Sequence, residues 1–189
     1  QRTRRQSVPP PRRSVAEAGG GHQAEAVDAV GVLDRKPERN GAAESKLSVE
    51  TLRGGVHVII GSGGNIGVLA GPDGKLLVDG GLAGSKAKIQ SELQKLGEGP
   101  VKHLVNTHWH FDHTDGNEWM HSAGAIVSAH ANTKKHLSAS TRVDDWDFTF
   151  PPSPAGAIPS DIFETEKTLH LNGATIVLTY YGASHTDGD

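Results

Sequence analysis

Apolar and polar positions begin to alternate at Leu47 and continue to the last residues. The stretch "LSVETLRGGVHVIIG" (47–61) reads as a strand, a turn at Gly54-Gly55 and a second strand. "NIGVLAGPDGKLLVDGG" (65–81) reads as a β-hairpin that turns at Gly71-Pro72-Asp73-Gly74. The period then changes. Ile89, Leu93 and Leu96 share one face of a predicted helix that Ser85 caps and Gly97 ends. A short apolar strand, "VKHLVN" (101–106), is followed by a helix near Asn117–Ser122, a strand "AIVSAH" (125–130) and a helix from about Asn132 to Leu137. Residues 140–166 read as loop, and "TLHLNGATIVLTYYG" (168–182) as a hairpin on an Asn172-Gly173 turn.

Hairpins come first and β-α-β alternation follows. That order predicts a mixed α/β fold in layers, a sheet with helices packed against it. No internal repeat is visible. Residues 1–45 are rich in Pro, Gly, Ala, Arg and Glu and keep no period, which predicts a disordered tail ahead of one folded unit over 46–189. The tail's arginines do not read as a nucleic-acid contact, because acidic residues return by Glu17 and no aromatics interleave.

Composition changes this picture little. Only 35% of the 189 residues are hydrophobic and 5% aromatic, in keeping with a tail outside the core. A formal charge of −3 gives no reason to expect a polyanionic partner. The chain has no cysteine, which excludes disulfides, thiolate metal sites and cysteine nucleophiles within it. No apolar run approaches the roughly 20 residues of a membrane span. The basic start, "QRTRRQSVPPPRRS", has no apolar segment after it and does not read as a signal peptide. Compartment and oligomeric state stay open. The chain opens without Met and stops at "SHTDGD", so both ends read as edges of a longer protein.

The chemistry concentrates in "THWHFDHTDGN" (107–117). In an extended or turning segment residues i and i+2 project to one side, so His108 and His110 can share an ion. Asp112 and His113 come where the chain turns toward the next helix and can aim at a second, adjacent position. Imidazole and carboxylate are the ligand set of Zn²⁺, with Fe and Mn also compatible. A catalytic site usually takes three protein ligands and a water, so a third ligand must come from elsewhere. His185, after a strand and in a polar turn, is the best candidate. His130 ends a strand and is a candidate for lining the pocket; His57, His103, His121, His136 and His170 are read as non-ligands. Trp109 and Phe111 are expected to point back into the core. The loop with Trp146, Phe148 and Phe150 has two readings, a lid over an apolar substrate or a loop packing itself down. "GSGGNIG" (61–67) lacks the Lys-Ser/Thr of a P-loop and opens no helix, so it reads as a tight turn.

These residues resemble a known family. "THWHFDHTDGN" is similar to the H-x-H-x-D-H signature of the metallo-β-lactamase superfamily. "LLVDGG" (76–81) resembles the strand before that family's first helix, and "GASHTDGD" (182–189) its next motif, with the third histidine. The resemblance covers about 47–189. It implies an αββα sandwich of two similar halves, of which this chain holds one half and part of the other. His108, His110 and His185 would bind a first zinc, and Asp112 and His113 a second. Asp79 would orient the site from behind. A metal-bound hydroxide would attack an ester- or amide-like bond in a small-molecule substrate such as a β-lactam, lactone or thioester. Asp112 would act in catalysis by orienting the hydroxide or passing a proton to the leaving group. The family's later bridging aspartate and last histidine are expected beyond Asp189, since Asp187 and Asp189 follow His185 too closely. Neither nucleic acid nor membrane is implied. The rival readings are a metal-binding redox module of the same fold and an inactive fragment. Iron-binding relatives often carry a carboxylate where His110 stands, which favours zinc and hydrolysis here.

Overall fold

The structure, a computed structural model, describes residues 41–61 and 63–189. The tail expected over 1–45 therefore lies outside the described residues up to position 40. Its last residues differ from the expectation. Residues 41–44 are helical, Ala42 is fully buried, and its carbonyl accepts a hydrogen bond from Ser85 Oγ at 3.0 Å.

Four strands, β1 (Ser48–Thr51), β2 (Val56–Ile60), β3 (Ile66–Gly71) and β4 (Gly74–Val78), form an antiparallel meander. Helix α1 (Lys86–Lys95) then crosses to β5 (Val101–Val105), which pairs parallel with β4. The short helices α2 (Phe111–Thr114) and α3 (Asn117–Ser122) lead to β6 (Ile126–His130), parallel to β5, and α4 (Ala131–Ser138) follows. The stretch read as loop holds a small hairpin, β7 (Thr141–Val143) with β8 (Phe148–Phe150), and β9 (Asp161–Phe163). β9 joins the large sheet beside β6, giving seven strands in the order β1-β2-β3-β4-β5-β6-β9. Three-residue strands are too short to display a period, so the sequence reads there as loop.

Successive residues of the central strands serve opposite faces of the sheet. Leu77, Leu104 and Val127 meet Ile89 and Leu93 of α1 and Met120 of α3 in one core. Leu76 and Val105 face the other way, onto Leu171. Leu171 belongs to the predicted hairpin, β10 (Glu166–Leu171) and β11 (Ala174–Thr179), whose Leu169, Ile176 and Leu178 complete this second core. The layers are thus helices, large sheet and hairpin. Burial on both faces explains the adjacent apolar pairs Leu76-Leu77 in β4 and Leu104-Val105 in β5.

The hairpin is also held by its tip. Asn172 and Gly173 take positive φ (55° and 73°), as a two-residue hairpin turn requires. Asn172 Oδ1 accepts from the Asp73 amide at 2.9 Å, and Asp73 Oδ2 accepts from the Asn172 amide at 2.8 Å. With its turn clasped to the β3–β4 turn, β11 runs toward the end of the sheet where β4, β5 and β6 finish. One predicted cap is absent: Ser85 has φ −90° and ψ 2°, not an extended N-cap conformation, and its hydroxyl bonds Ala42 instead of the helix. Among the described residues no helix is long and apolar enough to cross a membrane.

Candidate metal centre

The site forms where strands deliver their last residues, the usual binding edge of a sheet with parallel strands. β5 ends at Val105, and the chain passes Asn106 and Thr107 into the histidine cluster. His108 and His110 are 6% and 7% exposed. His185 arrives from the segment after β11. The three rings stand mutually edge-on, with centroids 4.8–4.9 Å apart. One nitrogen from each lies within 4.8 Å of the others. His110 Nδ1 and His185 Nε2 are 3.0 Å apart.

Hydrogen bonding fixes which nitrogens stay bare. Thr107 Oγ1 donates its single proton to Asp79 Oδ2 at 2.8 Å, so toward His108 Nδ1, 3.0 Å away, it must accept. His108 is thereby protonated on Nδ1, and its Nε2 keeps a lone pair. That buried Nε2 has no hydrogen-bond partner among the described residues. Three converging imidazoles with an orphaned acceptor fit a divalent cation and are hard to satisfy otherwise. Burial, then the neighbouring His108 and His185, pushes the His110 imidazole down to about 4, and burial and His113 lower that of His108. Both effects favour the neutral imidazole, the form that binds a metal.

Asp112 and His113 lie on α2, next to the triad. His113 Nε2 is 3.4 Å from Asp112 Oδ2, and the His108 and His113 rings are 4.2 Å apart. His113 Nδ1 is 2.7 Å from Asp79 Oδ2, which leaves Nε2 aimed at the position shared with Asp112. Burial opposes a charge on His113, but the bonds to Asp112 and Asp79 outweigh it and raise the imidazole to about 10. The His113 contact in turn lowers the Asp112 carboxyl. A cation at this second position must therefore displace a proton.

Asp79 stands behind both positions. It is 4% exposed, holds φ +68°, and accepts from the Thr107 amide at 2.8 Å as well as from Thr107 Oγ1 and His113. One carboxylate thus orients a ring of each predicted pair. The backbone beneath is equally constrained: Gly80 N donates to His113 O at 2.7 Å, and a Cβ on Gly116 would lie 2.2 Å from Gly80 O. Asn106 and Asn117, both buried, exchange amide bonds at 2.8 and 3.0 Å and tie α3 to the strand end.

All six predicted site residues therefore gather at one place. Three secondary expectations resolve differently. Trp109 is buried as expected, but Phe111 starts a helical turn that carries it out, onto Phe150 (6.1 Å, 29°). His130 does not line the pocket: its ring stacks on Tyr180 at 3.8 Å, Nδ1 accepts from the Asn132 amide, and Nε2 bonds the Glu164 carbonyl. The aromatic loop divides between its two readings. Phe148 is buried, whereas Trp146 is 43% exposed with its ring 4.9 Å from that of His110. Trp146, Phe111, Leu82, Gly63 and Asp112 line an open groove of about 580 Å³.

Sequence reasoning did not find Thr107, Asn106, Asn117 or Gly64 as parts of the site. Gly64 lies in the stretch read as a tight turn. A Cβ there would sit 2.4 Å from His113 Cε1, so this glycine lets the loop approach the ring. The run of small residues at 61–64 was the available signal.

Residues 59–189 match the family model for the metallo-beta-lactamase superfamily. Among solved structures, a B3 metallo-beta-lactamase with an active-site glutamic acid is similar at 24% identity and TM-score 0.64, over 80% of this chain and 58% of that one. A metallo-beta-lactamase of Cronobacter sakazakii with a HARLDQ motif is similar at 22% and 0.63, over 75% and 57%. MEM-A1, a subclass B3 enzyme from a soil metagenome library, gives 23% and 0.60, over 75% and 55%. No curated protein matches the chain. It spans a little over half the length of these structures, and at such identities they speak for the fold alone. The family match contains the sheet from β3 onward, the helices and all six gathered residues, from Asp79 to His185. The chain belongs to the metallo-beta-lactamase superfamily.

Proposed function

We propose that this chain carries the metal-binding part of a zinc-dependent hydrolase acting on an ester- or amide-like bond. The observation that supports it most is the convergence of His108, His110 and His185, with His108 Nε2 buried and unpartnered among the described residues. A bound zinc ion supplies a Lewis acid and lowers the pKa of a coordinated water to about 7. Everything else falls to the chain's own residues.

His108, His110 and His185 would hold the first ion, and Asp112 and His113 would hold a second. Asp79 keeps the Nδ1 protons of His108 (through Thr107) and His113 in place, which would leave both Nε2 atoms for metal. Asp112, held ionised by His113, would take a proton from the attacking water and pass it to the leaving group. Leu82, Phe111 and Trp146 offer an apolar wall to the substrate beside Asp112. The named neighbours are metallo-beta-lactamases, which makes β-lactams the first substrate class to test, followed by lactones and thioesters. His110, rather than a carboxylate, weighs against the redox reading.

The test is a panel of β-lactam, lactone and thioester substrates with zinc-loaded protein. Turnover of one class, abolished by chelation and by His110→Ala, is the expected result. Turnover that His110→Ala leaves unchanged overturns the proposal.

A further inference from the structure

His185 lies on a segment with little backbone bonding of its own; Ser184 N donates to Thr186 O at 2.8 Å. The segment is held from α4. Asn132 Nδ2 donates to the Asp187 carbonyl at 2.6 Å and Thr133 Oγ1 to the Gly188 carbonyl at 3.1 Å. Gly188 lies so close that a Cβ there would be 2.5 Å from Thr133 Oγ1. His136 adds a bond to a side chain, with its Nε2 2.7 Å from Asp187 Oδ1. A carboxylate only accepts, so Nε2–H donates.

The same imidazole has a second contact. Its face stacks on the Trp109 indole, centroids 4.9 Å apart and planes at 25°. Trp109 sits between His108 and His110, is 7% exposed, and is packed edge-on by Phe150 at 5.3 Å. A hydrogen bond alone would hold a loop, and a stack alone would fill a core. Here one ring does both, and it joins two segments whose histidines are 75 positions apart in the chain.

We propose that His136, expected from sequence to be a bystander, is a positioning residue for the metal site. Stacked on Trp109 and bonded to Asp187, it sets the distance between the His108–His110 pair and His185. The inference rests on reading these three histidines as metal ligands. It assigns His136 no contact with metal or substrate.

The test is a Co²⁺ titration of the full chain, followed by visible absorption, which reports ligand number and geometry. The chains are wild type, His136→Ala, His136→Gln (which keeps a donor for Asp187) and His136→Phe (which keeps a ring for Trp109). His136→Ala is expected to bind about 10- to 100-fold more weakly, the scale for residues that orient metal ligands, with an altered spectrum. His136→Gln and His136→Phe should each recover part of the loss, with circular dichroism unchanged. Wild-type affinity and spectrum in His136→Ala overturn the proposal. If that variant does not fold, the same result in both His136→Gln and His136→Phe overturns it. Wild-type protein that binds no Co²⁺ overturns the ligand reading as well, whereas unaffected variants of a Co²⁺-binding wild type overturn the role of His136 alone.

Discussion

Asp79→Asn is the substitution that separates orientation of the ligands from their presence. Asparagine tolerates the left-handed backbone that Asp79 adopts at φ +68°, and it matches the carboxylate in size. Its amide oxygen still accepts from the Thr107 amide. The amide nitrogen, however, donates where Asp79 Oδ2 accepted from Thr107 Oγ1 and His113 Nδ1. The Thr107 hydroxyl must then accept from the new amide and donate to His108 Nδ1, which moves the His108 proton to Nε2. His113 faces the same reversal. Both metal-facing nitrogens become protonated while every ligand is still in the chain. Loss of such an orienting partner weakens metal binding about 10- to 100-fold, or about 1.4–2.7 kcal/mol. Loss of the charge-assisted bond between His113 and the Asp79 carboxylate adds about 1.5–3 kcal/mol of lost stability in the metal-free protein. Competition with a chromophoric chelator reads the affinity, and urea denaturation the stability. Wild-type zinc affinity in Asp79→Asn would refute the assignment of both tautomers.

Three further outcomes follow from the geometry. Gly116→Ala places a Cβ 2.2 Å from the Gly80 carbonyl oxygen, backbone against backbone. It should cost about 1–3 kcal/mol in denaturant titration, whereas Gly124→Ala, strained in φ but with nothing within 4 Å, tests strain without a clash. Asp161 is opposed by burial but held below its ordinary value of 3.8 by Lys167 Nζ at 2.8 Å and Ser128 Oγ at 2.7 Å. A lowered carboxyl stabilises the fold above its unfolded value and loses that contribution as pH falls through the folded one. The stability gap between wild type and Asp161→Asn should therefore be constant above about pH 5 and shrink in acid; a gap that widens in acid contradicts the pairing. Gly64→Ala should disturb the His113 ring, 2.4 Å from the new Cβ, and weaken binding of a second metal equivalent more than the first. Equal weakening of both would count against the separate positions.

The order of strands and helices was legible because the apolar positions change period where the elements change, as at Ser85, before the first long helix, and at Gly97, after it. The gathered site was legible because four of its residues lie within six positions, and a chain turn can aim them only at neighbouring points. What escaped were contacts between distant segments. The bond between His136 and Asp187 and the approach of Gly64 to His113 depend on packing that no local pattern encodes. Phe111 leaves the core because α2 begins there, one residue before the turn expected at Asp112. Ser85 looked like a cap, but its hydroxyl found a partner in residues 41–44, which carry no periodic signal.

The proposed function depends on His108, His110 and His185 holding a metal ion together. Metal content measured by elemental analysis after zinc loading and exhaustive dialysis tests it most directly. At least one equivalent of zinc per chain is predicted for wild type, with a large loss in both His110→Ala and His185→Ala while the fold persists. Zinc-free wild-type protein, or a His185→Ala variant that retains as much zinc as wild type, would rule out the three-histidine site.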